Sequence, residues 1–252
     1  MSEQDSGPIL PGPGASDYER YLRTDELLAL QKAPEERAHR DELLFQTVHQ
    51  SSELWLKLAV EEVEEAARLT DADDLFGASR SIRRVVLCLR EVTEAMDMLD
   101  QLDPWDYHTV RTVLGHGSGF DSPGFRNLAR ATPALGAAFD RALGRAGATM
   151  DELYRKRSEH ESLHQLAELL IDYDARVRLW RFRHYSVVAR AIGEDTTGTA
   201  GTPVPVLSKL IAQRQVPKLW EVRSRLVELF EEERSAGGGG TPGGRAIGHG
   251  DS

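Results

Sequence analysis

The sequence predicts an all-α protein. Apolar residues recur at helical spacing through most of its length, and the alternating β-branched runs that would mark strands are almost absent. With 252 residues, 40% of them hydrophobic, the chain is long enough for one sizeable core, so a single domain over residues 17–235 is expected. Residues 1–16, rich in Pro, Gly, Ser and acid, read as a disordered tail, because that composition buries too little apolar surface to offset the entropy of ordering. The glycine-rich stretch 236–252 reads the same way, with His249 a tail residue.

Between the tails the elements follow in order. Residues 17–32 carry Tyr21, Leu22, Leu27, Leu28 and Leu30 and predict a short amphipathic helix with a cap near Thr24 or Asp25. A second helix, 39–69, runs through Leu43, Leu44, Val48, Trp55, Leu58, Val63 and Ala66, with Glu61, Glu62, Glu64 and Glu65 forming a solvated face. A third, 79–102, repeats the stripe with Ile82, Val85, Leu89, Val92, Met96 and Leu99. Cys88, within it, reads as a small buried hydrophobe. Pro104 opens a new segment, which Gly115, Gly117, Gly119 and Pro123 turn into a loop. Helices ending near 143 and spanning 150–170 follow, then a strongly patterned one at 174–192, a loop at 193–205 and a last helix at 207–233.

Composition excludes several functions. A net charge of −10 repels polyanions, so nucleic acid is not an expected partner. One cysteine rules out an intrachain disulfide and any C-x-x-C metal pair. The start of the chain lacks the basic and apolar regions of a signal peptide, and no apolar run reaches bilayer length, so a soluble cytoplasmic protein is expected.

Four groups of residues could carry chemistry. His184 follows Trp180 by one helical turn, and a neutral imidazole on a rigid helix can ligate a metal. Phe45 and His49 are likewise four apart, so an aromatic wall and a hydrogen-bonding ring share a face. Tyr107 and Arg111 project together and suit a carboxylate, which a guanidinium holds through two parallel hydrogen bonds. Spacing alone favours ordinary core or surface residues in all three pairs. The fourth, His160-Glu161-Ser162-Leu163-His164, matches the H-E-x-x-H zinc pattern. Ala167 and Leu170 stand where the extended motif has Gly and a third His, so a helix surface with two histidines is the expected reading.

These pieces, in this order, resemble the tryptophan 2,3-dioxygenase family. Arg40-Asp41-Glu42-Leu43-Leu44-Phe45, His49-Gln50 and Glu53-Leu54-Trp55 with Lys57 are similar to its distal-helix signature. Pro104-Trp105-Asp106-Tyr107, Arg111 and Ser118-Gly119-Phe120 resemble its carboxylate-binding segment. Trp180-Arg181-Phe182-Arg183-His184, with Thr197-Gly198-Thr199-Ala200-Gly201, resembles its proximal helix and substrate loop. Tyr18 and Tyr21-Leu22 match its N-terminal helix, while residues 126–162 match poorly.

The resemblance implies an all-α helical bundle of the tryptophan/indoleamine 2,3-dioxygenase type, holding haem b without covalent attachment. It implies His184 as the axial iron ligand with Trp180 beside the cofactor, and His49 as the distal catalytic residue accepting the indole N–H. Tyr107 and Arg111 would hold the carboxylate, Phe45 would pack on the indole and Thr199 would contact the ammonium. Tyr18 would close a pocket on a neighbouring subunit, which implies a homotetramer. The implied reaction inserts O2 across the C2–C3 bond of L-tryptophan to give N-formyl-L-kynurenine.

Three departures qualify the match. The family's Gly-Thr-Gly-Gly-Ser-Ser-Gly loop reads Gly198-Thr199-Ala200-Gly201-Thr202-Pro203-Val204, which stiffens it. Asp121 stands where the family has glutamine, adding a negative charge. The chain is also shorter before the proximal helix. A haem monooxygenase giving a hydroxylated or oxindole product fits these changes as an alternative, and a non-catalytic haem sensor is an alternative of another class.

Overall fold

The computed structural model describes residues 7–237; the expectations for 1–6 and 238–252, including His249, lie outside them. All regular structure among the described residues is helical. The chain forms two compact units. The first comprises the described residues up to Ala59 with Leu87–Asn127 and Arg178–Ala212; the second comprises Val60–Val86, Leu128–Val177 and the described residues from Gln213.

Helices α1 (Asp17–Leu22) and α2 (Thr24–Leu28) replace the one predicted helix over 17–32. Arg23 between them adopts a left-handed conformation, φ 54°, which a side chain rarely takes, and its guanidinium pairs with Glu26. Ser16 and Glu19 form a reciprocal capping box at the start of α1. Residues 7–16 contain no helix, yet Asp17 Oδ1 accepts the N–H groups of Ile9 and Leu10 at 2.8 and 2.7 Å.

Helix α3 (Glu42–Asp71) begins three residues later than the apolar pattern predicts. Buried Glu42 explains the start: it accepts the Ala38 N–H at 2.9 Å and pairs with Lys32 at 2.5 Å, satisfying groups that an isolated helix would leave open. The predicted helix 79–102 is instead α4 (Leu75–Glu94) and α5 (Met96–Leu99). Helix α6 (Pro104–Arg111) carries Pro at its first position and Asp103 as cap, accepting Trp105 N–H at 2.8 Å. A 3-10 turn, Gly119–Asp121, precedes α7 (Pro123–Arg145).

The region 150–192 divides differently from the expectation. Helix α8 (Met150–Arg155) stops at the charged run before His160, and α9 (Glu161–Ile192) then continues unbroken through residues 170–174. Nothing there breaks a helix. Tyr173 and Asp174 are buried because their polar atoms find partners in the second unit: Tyr173 hydroxyl meets Thr132 at 2.6 Å, and Asp174 accepts Trp220 Nε1–H at 2.7 Å. The predicted helix 207–233 is α10 (Pro205–Ile211) and α11 (Pro217–Gly237), since Pro217 starts a helix and disfavours helical backbone at Val216.

In the first unit, Val48, Met96, Leu99, Leu102 and Val187 form a buried cluster, with Leu44, Phe45, Ala95 and Tyr107 packed against it. That cluster brings the functional faces of α3, α6 and α9 together. Cys88 is buried, as its neighbours predict.

Candidate functional site

The start of α3 presents Phe45 and His49, whose ring centroids lie 4.1 Å apart. His49 Nδ1 is 2.7 Å from the Phe45 carbonyl oxygen. A carbonyl only accepts, so Nδ1 carries the proton and the neutral ring offers Nε2 as a lone pair. The side chain is open to solvent but deep among protein atoms. Burial therefore lowers its pKa, against the smaller raising effects of the Phe45 carbonyl and the Glu53 charge.

On α6, the Tyr107 ring stands 6.1 Å from Phe45 and is half-buried. Burial raises its phenol pKa, with Arg111 opposing. Arg111 Nη2 donates to the Thr197 carbonyl at 2.5 Å, tying α6 to the loop after α9. In that loop Thr197 bridges Pro203, Gly198 N–H bonds Thr202 O at 2.9 Å, and Gly201 takes φ 76°. Pro203 thus closes a short tight turn, the physical content of the stiffening inferred from sequence. Thr199, at its tip, donates its hydroxyl to the Gly117 carbonyl and keeps acceptor lone pairs.

Helix α9 supplies His184 and Trp180. Its rotation is set by basic residues: Arg183 bonds Asp97 at 2.6 Å and Asp100 at 2.9 Å, while Arg178 and Arg181 donate to the carbonyls of Ile211 and Leu210, both at 2.9 Å. The His184 ring is nearly parallel to Trp180 (5.2 Å, 10°), and Trp180 stacks on Phe125 (3.6 Å, 28°). Burial pushes the His184 imidazole down to about 4, and the facing charge of His49 adds to the effect. The ring is therefore neutral at pH 7, and no protein hydrogen bond to it occurs among the described residues. Trp180 Nε1–H is buried and finds no acceptor among the described residues. A neutral imidazole without a protein hydrogen bond, and a second imidazole in the same unit whose Nε2 keeps its lone pair, can hold a metal-centred group and a ligand with an N–H.

The structure gathers Phe45, His49, Tyr107, Arg111, Trp180, His184 and Thr199 in the first unit. Tyr18 stands apart on α1, 69% exposed. Asp121 does not confront the carboxylate-binding residues as a bare charge: its Oδ2 accepts the Ser118 N–H at 3.0 Å and closes the 3-10 turn. In the second unit, His164 meets Tyr154 edge-on (5.1 Å, 73°), and Glu161 accepts Gln165 Nε2–H.

Among the described residues, the one compact group of possible metal ligands is His39, Asp41 and Asp106, so the H-E-x-x-H match gathers no such set. His39 Nδ1 accepts the Asp41 N–H at 3.3 Å, leaving the neutral ring's proton on Nε2, 3.8 Å from Asp106. That arrangement is a polar tie between the start of α3 and α6.

Sequence reasoning gave no role to Glu53, Ser122, Gly124 or Phe125. Glu53 accepts Ser122 Oγ–H at 2.5 Å and Gly124 N–H at 2.9 Å. The only local signal was that Glu53 lies one turn beyond His49.

A model of the family described as tryptophan 2,3-dioxygenase matches residues 4–136 and 138–226. A tryptophan 2,3-dioxygenase of a Bradyrhizobium species (strain BTAi1) is 34% identical over 84% of this chain and 94% of its own length. Those of Erythrobacter litoralis and Kineococcus radiotolerans are each 31% identical, over 83% and 89% of this chain and 98% and 96% of their own. The first alignment has 264 positions yet covers only 84% of 252 residues, so that relative carries stretches this chain lacks.

Proposed function

Since the chain belongs to the tryptophan 2,3-dioxygenase family, we propose that its first unit is a haem site at which L-tryptophan is opened by O2 to N-formyl-L-kynurenine. The observation that carries this reading is the presence in one unit of a neutral His184, stacked on Trp180 and without a protein hydrogen bond among the described residues, and a His49 whose Nε2 lone pair is set by the Phe45 carbonyl.

The residues fit the cofactor. His184 offers a nitrogen for the iron, and Trp180 Nε1–H, without an acceptor of its own, is a donor available to an acidic side group of the porphyrin. When bound, haem supplies the centre at which dioxygen is activated. The protein's own residues do the rest. His49 Nε2 accepts the indole N–H, and Phe45 packs on the ring. Arg111 and Tyr107 hold the carboxylate, while Thr199 accepts from the ammonium. Fixing both ends of the substrate makes attack at the indole effectively intramolecular. Analogues lacking the carboxylate leave Arg111 poorly paired and bind weakly. The monooxygenase and sensor alternatives are not favoured: full-length relatives are named dioxygenases, and a sensor has no need of Arg111, Tyr107 and Thr199 together.

The proposal includes a homotetramer in which Tyr18, exposed on α1, completes the pocket of a neighbouring copy. No helix among the described residues is long and apolar enough to cross a membrane, and a cytoplasmic location is part of the proposal. The test is mass spectrometry of the product formed from L-tryptophan under labelled O2. A gain of two labelled oxygens is expected; a gain of one, or no product from haem-loaded protein, overturns the reading.

A further inference from the structure

We propose that Glu53 is a positioning residue for substrate binding, clamping the segment 117–124 so that the two sides of the site keep their register. This inference rests on the functional reading above. Glu53 lies one helical turn beyond His49 and divides its carboxylate between two donors: Oε1 takes Ser122 Oγ–H at 2.5 Å and Oε2 takes Gly124 N–H at 2.9 Å. Ser122 Oγ accepts Phe125 N–H in turn, at 3.2 Å. The carboxylate thus satisfies the open Gly124 N–H at the start of α7 and holds the Ser122 hydroxyl that satisfies the next one, where a negative charge is also favoured by the helix dipole.

The clamped segment touches three parts of the site. The Gly117 carbonyl receives the Thr199 hydroxyl. A Cβ at Gly119 would lie 3.4 Å from His184 Cε1 and Nε2, so this backbone rests against the ligand ring. Phe125 stacks on Trp180. Approach to α3 is very close: a Cβ at Gly124 would fall 2.5 Å from Leu56 Cβ and 2.8 Å from Glu53 Oε2, so no other residue fits without displacement. A carboxylate on the helix of His49 therefore sets where the backbone beside His184 and Thr199 sits. That geometry assigns Glu53 to position rather than to contact with substrate.

The experiment compares wild type with Glu53→Gln, Glu53→Ala and Ser122→Ala. In cofactor-free full chain, hydrogen exchange at the Gly124 and Phe125 amides should quicken by about tenfold in Glu53→Ala, a readout independent of haem. In haem-loaded protein of unchanged Soret absorbance per chain, KM for tryptophan should rise about tenfold in Glu53→Ala with kcat changed less than about twofold, as expected for loss of an interaction that acts on binding. Glu53→Gln keeps an acceptor for Ser122 and should recover part of the loss. Ser122→Ala removes one bond without changing charge, and it carries the test should Glu53→Ala misfold. Unchanged exchange and unchanged KM in Ser122→Ala together with Glu53→Gln overturn the proposal. Failure of wild type to take up haem overturns the cofactor reading instead, and the exchange measurement still decides the clamp.

Discussion

Each unit leaves one buried side-chain polar atom unpaired among the described residues, and the two differ in what stands around it. In the second, Tyr154 hydroxyl donates to Glu168 at 2.7 Å and Arg223 pairs with the same carboxylate; Arg145 donates to the Thr70 carbonyl at 2.6 Å, and Trp220 Nε1 to Asp174. Its exception is Asp174 Oδ1, whose partner oxygen is well bonded. In the first unit Trp180 Nε1 is buried without an acceptor among the described residues, and no protein hydrogen bond among them reaches His49 Nε2 or the His184 ring. A buried donor with no acceptor suits a group that a ligand completes, whereas Asp174 Oδ1 belongs to a carboxylate already bonded through its other oxygen.

The largest expected change is loss of the cofactor from the first unit. His184→Ala should abolish the Soret band of haem-reconstituted protein while leaving the helical circular dichroism intact; retained haem with full activity refutes the assignment. Arg111→Lys keeps the charge but loses the planar fork, and kcat/KM for tryptophan should drop about 100-fold. An unaltered value would show that the guanidinium serves only the Thr197 carbonyl.

Two matched substitutions compare the units directly. Trp220→Phe strips a donor from buried Asp174 and should lower the stability to urea by about 1–3 kcal/mol. Trp180→Phe removes a donor that has no acceptor, so in the cofactor-free chain it should change stability by no more than about 0.5 kcal/mol. Equal losses at the two positions would erase the distinction.

A pH dependence also follows from His184. His184 has its pKa lowered from 6.5 to about 4 in the folded chain, so below 6.5 the unfolded chain takes up a proton that the folded one refuses. Cofactor-free protein should therefore lose about 1–2 kcal/mol as pH falls from 6.5 toward 4, with its full stability from this group present above 6.5. Urea midpoints at pH 7 and pH 5 measure it, and His184→Ala should flatten the slope.

What was legible in the sequence obeys a local rule. Spacing of four along a helix placed Phe45 with His49, Tyr107 with Arg111 and Trp180 with His184, and the structure keeps each pair on one face because each lies within an unbroken helix. The all-α class followed from periodicity for the same reason. The break at Arg23 and the continuity of residues 170–174 were not legible, since one depends on an ion pair with Glu26 and the other on Thr132 and Trp220. The H-E-x-x-H spacing met the local rule of a zinc site, but no third ligand converges on it among the described residues.

The order of residues was enough for the all-α class, for which residues share a helical face and for the family to which they conform, all of which are settled within a few turns of chain. The tertiary arrangement alone brings Glu53 to Ser122 and Gly124, and Arg111 to the Thr197 carbonyl. Such contacts join residues tens of positions apart, and no periodicity encodes them.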